Sequence, residues 1–245
     1  MRVKSLIKAL LVVAFFITTS FVRAENVQFA TDNNRFPFSF LQDGKSVGFD
    51  IDLWALIAKD MGINYQLRAV DFSSIISDVY ISHVDVAMGG LVITHTRSNV
   101  VDFSNPYYEG GLLLLVRSDG DITSIDGLKG KKVAVKSGTS AFRYVIENLP
   151  ETEKRAFAQI EEAFDELEKG NVDAVVADAS LIRHYLATTQ TNLKTIGGII
   201  EKQQYGAAFP QGSPMVSRYN AALDHLKQNG SYAKVYKKWF GVNSN

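Results

Sequence analysis

The sequence predicts an α/β fold of two lobes joined by strands rather than by a flexible linker. Three observations carry it. Strand-like runs alternate with helical stretches along residues 27–240, the pattern of α/β units whose ligands sit off the carboxyl ends of the strands. At four places (Asp32, Gly89-Gly90 to Arg97, Lys136 to Ser140, and Asp178) a strand gives way to a polar or charged group where a helix or turn begins. No solenoid-period repeat and no low-complexity segment interrupts the alternation.

The chain opens with a basic start (Arg2, Lys4, Lys8), an apolar run from Ala9 to Ile17, and Val22-Arg23-Ala24 before Glu25. This reads as a cleavable secretory signal over residues 1–24, its apolar run too short to span a bilayer. Removing Arg2, Lys4, Lys8 and Arg23 with no acid takes the formal charge from zero to −4, which disfavours a nucleic-acid partner. There is no cysteine, hence no disulfide, no thiol chemistry and no lipid-attachment site. The expectation is an exported protein held by its core alone and diffusing in a bacterial periplasm.

Val27 to Thr31 reads as a strand that ends in Asp32-Asn33-Asn34. Pro37 limits ladder pairing in Phe36 to Phe40, and Gln42 to Lys45 reads as a turn. Gly48-Phe49-Asp50 opens a helix with Asp50 as its cap; Ile51, Trp54, Ile57, Ala58 and Met61 share a face, and Gly62 stops it. Asn64 to Val70 is a strand and Phe72 to Ile81 a helix. Gly110 to Val116 is continuously apolar, as in a strand buried on both faces. Ser118 to Gly130 is polar and turn-rich. Lys132 to Val135 is a strand leading through Lys136 to Ser140 into a helix over Ala141 to Asn148. A helix ends at Gly170, Val172 to Ala177 is a strand with Asp178 at its tip, and Ser180 to Ala187 is helical. Gln203 to Phe209 is a crossing strand. Met215, Tyr219, Ala222, Leu223 and Leu226 form one helical stripe, and Tyr232, Val235, Tyr236, Trp239 and Phe240 a final helix whose aromatics are core.

Residues 85–108 bear on chemistry most directly. Gly89 and Gly90 follow a hydrophobic strand, where glycine lets the backbone approach a ligand and leaves N–H groups to point at it. Arg97 lies one turn further on, and a guanidinium grips a carboxylate with two parallel hydrogen bonds. With Asp32, Lys136, Asp178 and the helix start at Thr139-Ser140, the set suits a zwitterion with a polar side chain. Enzyme signatures are missing: KSGT lacks phosphate-loop spacing, and neither GxGxxG nor GxSxG occurs. His83, His95, His184 and His225 have no metal-ligand spacing. No metal, no cofactor and no catalytic residue is expected, with acid/base work by Lys136, Asp178 and Asp32 in a closed cleft as the remaining enzymatic alternative.

VGFDIDLWALIAKDMG, GGLVITHTRSNVVDFSNPYY, GKKVAVKSGTS, QQYGAAFPQGS and NGSYAKVYKKWFG resemble the periplasmic amino-acid-binding proteins of ABC importers, solute-binding protein family 3, with the glutamine-binding protein as the nearest type. The resemblance implies a two-lobed type II periplasmic-binding-protein fold, each lobe a mixed sheet flanked by helices, with two crossover strands as hinge. Residues 25–108 and 206–245 would form lobe 1 and residues 109–205 lobe 2. It implies Arg97 on the ligand's α-carboxylate, helped by Gly90 and the Thr139-Ser140 helix start. Asp178 takes the α-ammonium, Phe72 packs on the ligand stem, and Asp32 and Lys136 face the side-chain amide. Three positions depart from the glutamine pattern: Arg35 replaces an aromatic lid, Val92 a hydroxyl residue, and Ala177 a histidine. An inward Arg35 favours an acidic or more strongly polar side chain. The implied partners are a polar L-amino acid, glutamine first, and an inner-membrane ABC permease, with a monomer as the family default. Arginine, lysine, histidine or glutamate as ligand, a cleft lyase or dehydratase, and a ligand-sensing module stay open.

Overall fold

The computed structural model describes residues 26–241. The signal-like segment over residues 1–24 and the last four residues of the chain lie outside them. Two five-stranded sheets and one small three-stranded sheet make the frame.

The first sheet grows around β1 (Asn26–Thr31), whose inward residues Val27, Phe29 and Ala30 are buried. A short sheet of β2 (Asn34–Arg35), β3 (Ser39–Gln42) and β4 (Lys45–Val47) follows, antiparallel throughout. Helix α1 (Phe49–Met61) leads to β5 (Asn64–Ala69), which runs parallel to β1, and α2 (Ile75–Tyr80) leads to β6 (Val86–Ala87), parallel to β1 on its other side. Helix α3 (His95–Ser98) and β7 (Asp102–Phe103) precede the crossing to the second sheet.

That sheet starts with β8 (Tyr108–Arg117), whose central residues Leu112 to Val116 are buried, as a continuous apolar run requires. A 3-10 turn (Ile125–Leu128) precedes β9 (Lys132–Lys136), α4 (Ser140–Asn148), β10 (Glu153–Phe157), α5 (Ile160–Glu168), β11 (Ala174–Asp178) and α6 (Ala179–Thr188). Strand β12 (Leu193–Tyr205) runs antiparallel to β8, shifting register between Ile196 and Glu201, and carries the chain back. Strand β13 (Ala208–Phe209) then inserts between β6 and β7, antiparallel to both. Helices α7 (Met215–Gln228) and α8 (Ser231–Phe240) pack on the first sheet's core. The sheet orders are β5-β1-β6-β13-β7 and β10-β9-β11-β8-β12. The two crossings are tied together: the Tyr107 N–H donates to the Tyr205 carbonyl and the Ser104 N–H to the Ala207 carbonyl, both at 2.9 Å.

Each lobe has its own core. Phe29 stacks on Trp54 at 5.0 Å between centroids, with Tyr219 on the outer face of Trp54. Burying such a side chain contributes roughly 1.5–3 kcal/mol. Leu115, Phe164, Leu167, Val175 and Ile182 do the same work under the second sheet.

Two local expectations are corrected, and two segments without one are filled in. Asp50 is not the cap of α1: Gly48 takes that position, at φ 141°, and Asp50 turns inward from the first helical turn, fully buried. Helix α2 begins at Ile75 rather than Phe72, because Asp71 to Ser74 form a turn closed by the Ser74 N–H donating to the Asp71 carbonyl. Residues 193–200 and 153–157, unassigned from sequence, are strands; the second is an edge strand of mostly polar residues whose pairing with β9 supplies what its composition does not.

Candidate functional site

The polar strand ends from both sheets meet in the cleft between them. Phe72, buried in the turn after β5, is the floor on the first lobe. Three cations surround its ring: the Arg35 guanidinium carbon 4.3 Å from the centroid, that of Arg97 at 5.5 Å, and Lys136 Nζ at 5.7 Å. A cation over an aromatic face is attracted by the ring quadrupole, and desolvation strengthens the attraction.

Arg35 points inward and is 3 % exposed. A single terminal nitrogen, Nη2, donates to the Gly90 carbonyl at 3.1 Å and to Asp178 Oδ2 at 2.9 Å. Asp178 ends β11 and opens α6; its other oxygen accepts from the Tyr205 hydroxyl at 2.5 Å. Burial, with Asp178 beside it, pushes the Tyr205 hydroxyl well above its usual range, so it stays a donor. Lys136, at the end of β9, pairs with Asp32 at 3.1 Å across the cleft, and both are buried. Each carboxylate of the predicted set is thus matched by a cation of this chain.

Arg97 sits on α3, where Thr94 caps the helix by accepting from the Arg97 N–H. Its guanidinium donates to two backbone carbonyls, Val92 at 2.9 Å and Gly138 on the other lobe at 3.1 Å. Burial and the nearby Arg35 charge pull it down to about 10, so it remains cationic at neutral pH. Thr139 caps α4: its hydroxyl accepts from the Phe142 N–H and donates to the Lys136 carbonyl. The Ser140 hydroxyl donates to Gln203 Oε1 at 3.1 Å.

The glycine pair corrects the sequence reading. Both N–H groups, expected to point at a ligand, donate to Asp50 Oδ2 at 2.7 Å, and the Tyr107 hydroxyl joins them at 2.8 Å. What Gly90 offers the cleft is its carbonyl. Its φ of 65° and a Cβ that would come within 2.9 Å of the Phe38 ring and 3.2 Å of Arg35 Nη2 explain why no side chain fits there. Gly89, at φ 142°, likewise holds a backbone conformation that side-chain residues rarely adopt, beside Thr31 and Asp32. Val92 is buried and bridges to Tyr205. Ala177, on β11, packs into the second lobe's core.

Sequence reasoning missed several groups that assemble the site. Asn34 reaches across to Gln159 at 2.8 Å and Glu161 at 3.1 Å. Phe36 stacks on His184 of α6 at 3.3 Å between centroids. Tyr205, Gln203, Asp50 and Tyr107 orient the rest. The signal for Asp50 was its place beside Phe49, Leu53 and Trp54 on a buried face; for the others, the partners that place them in the site lie more than 20 residues away and left no local sign. An open cavity of about 1090 Å³, lined by Phe36, Phe40, Leu41, Phe164 and His184, lies at the cleft's mouth and reaches Asp32. A smaller one of about 270 Å³ is lined by Asp32, Phe72, Ser73, Lys136 and Ser137.

Two α/β lobes closing on charged strand ends define a bilobed ligand-binding protein, and comparison with known proteins agrees. Residues 27–242 match the bacterial extracellular solute-binding proteins, family 3, and the chain belongs to that family. It is 30 % identical to the putative ABC transporter arginine-binding protein 2 of Escherichia coli (strain K12), over 97 % of this chain and 99 % of that one. It is 32 % identical to the ABC transporter glutamine-binding protein of Bacillus subtilis (strain 168), over 85 % and 78 %. Among solved structures, an ancestral arginine-binding protein bound to glutamine superposes with a TM-score of 0.82 at 37 % identity, covering 89 % of this chain and 98 % of that one. The architecture is that of the type II periplasmic binding proteins, as the family resemblance implies. No helix among the described residues is long and apolar enough to cross a membrane.

Proposed function

We propose that this protein captures a polar L-amino acid, glutamine foremost, in the periplasm and delivers it to an inner-membrane ABC permease. The observation that carries the reading is the convergence on Phe72 of a guanidinium from one lobe, Arg97, and a buried carboxylate from the other, Asp178, held beside the ring by Arg35. A zwitterion needs both, and only closure supplies both. Arg97 takes the α-carboxylate with help from the α4 start at Thr139-Ser140, and Asp178 with the Gly90 carbonyl takes the α-ammonium. Phe72 supports the stem, while Asp32 and Lys136 face the side-chain amide as acceptor and donor. Residues 25–108 and 206–245 move as one lobe and 109–205 as the other, the ligand favouring the closed state through contacts absent in the open one. The protein acts as a monomer without cofactor or metal.

Arginine is the second reading. A guanidinium already fits between Phe72 and Asp178, in the form of Arg35. A thermal-shift screen of refolded mature protein against the common L-amino acids tests both, since a ligand at 100 times its Kd stabilises the native state by about 2.7 kcal/mol. Glutamine giving the largest shift supports the first reading and arginine the second. No shift with any amino acid rejects both.

A further inference from the structure

Arg35 touches the same three groups that the proposed ligand would use: the face of Phe72, the Gly90 carbonyl and Asp178. Its Nη2 serves two acceptors from one nitrogen, as an α-ammonium would. It springs from the first lobe and reaches the second, so the closed arrangement is satisfied without any ligand cation. Lys136 and Asp32 likewise satisfy each other. Among the cleft cations, Arg97 differs in donating only to backbone carbonyls, which leaves its charge without a carboxylate.

We propose that Arg35 is a tethered stand-in for the ligand's ammonium group: it latches the empty cleft and competes with any amino acid for Asp178. This rests on the assignment of Asp178 and Gly90 as the ammonium subsite. An incoming amino acid must displace Arg35 or forgo that subsite, so the protein favours a ligand carboxylate over its ammonium. An α-amino group gains the ligand little while Arg35 is in place, and much once it is removed.

The test is calorimetric titration of full mature protein and Arg35→Met with two matched pairs: glutamine against 4-carbamoylbutanoate, and arginine against 5-guanidinopentanoate. In each pair the second compound lacks only the α-ammonium. Small-angle scattering of the ligand-free forms reads closure. The expected result is that Arg35→Met raises the preference for the amino acid over its des-amino partner at least tenfold, and that its ligand-free form is more expanded than wild type. An unchanged or reduced preference overturns the proposal, since Arg35 would then be a ligand contact or a bystander. Should neither protein bind any of the four, the glutamine and arginine readings both fail, and scattering alone decides the latch: an equally compact Arg35→Met rejects it. Arg35→Gln, which keeps a neutral donor for Asp178, carries the same expectations if Arg35→Met does not fold.

Discussion

Arg35 and Asp178 stand on different lobes, 143 residues apart in sequence, yet lie 2.9 Å from each other with side chains only 4 % and 6 % exposed. Removing one partner of a buried pair leaves the other charged without compensation, at about 3–5 kcal/mol, whereas replacing both by apolar groups is far milder. Asp178→Ala is expected to lose that much stability in urea denaturation of ligand-free protein. Arg35→Met/Asp178→Leu is expected to recover most of it. A loss under about 1 kcal/mol for Asp178→Ala means that the lobes do not hold this pair together in solution.

Arg97 holds its fork by two carbonyls from opposite lobes, so its orientation is set before a carboxylate arrives. Lysine keeps the charge but not the planar fork. Arg97→Lys, which gives up one of the two bonds of the fork, is expected to weaken amino-acid binding roughly tenfold or more, and Arg97→Ala, which gives up both, by at least roughly 100-fold, at about 1.5–3 kcal/mol per hydrogen bond to a charged group. Calorimetry that finds lysine fully equivalent removes the bidentate role.

The alternation that betrayed the two lobes is a backbone-scale pattern, and the strand ends Asp32, Lys136 and Asp178 were visible because each charge interrupts an apolar run. The direction of Arg35 was not visible, since its partners Gly90, Asp178 and Phe72 come from three other segments. The Gly89-Gly90 turn was read correctly as a close backbone approach, but the approach is to Asp50 of α1. Sequence spacing shows that N–H groups are left over; it does not show that a carboxylate 39 residues upstream returns to use them.

Val92 lies beside Arg97, with its carbonyl on the guanidinium and its side chain buried. Val92→Thr has nearly the same volume and adds a hydroxyl beside Arg97, the residue proposed to take the ligand's carboxylate. One neutral hydrogen bond, about 0.5–1.5 kcal/mol, should lower the Kd by roughly 2- to 10-fold. Without ligand the same hydroxyl lacks a partner, so the Tm of the empty protein should fall while that of the complex recovers. A Kd that stays put places the carboxylate away from residue 92.

Asp50 gathers the Gly89, Gly90 and Tyr107 donors on one oxygen while its other oxygen is buried without a partner. Burial outweighs the three hydrogen bonds and raises its carboxyl to about 7, from 3.8. A group whose folded pKa lies above its unfolded one contributes stability that is fully present below the unfolded value and is lost as pH rises through the folded one. Asp50 should therefore make the protein less stable at pH 8 than at pH 5, by roughly 2–3 kcal/mol, the loss falling between pH 5 and about 7. Histidine side chains also change charge between pH 5 and 8, so a variant that cannot titrate at residue 50, rather than the pH window alone, isolates this group. Asp50→Asn cannot titrate and should flatten that slope. It keeps an acceptor for the glycine loop but leaves an amide N–H₂ in the place of the unpartnered oxygen, so its absolute stability should fall at both pH values. Urea denaturation of both proteins at pH 5 and pH 8 gives the comparison. An equal slope in the two would show that the carboxyl is already ionised at pH 5, with the three donors prevailing over burial.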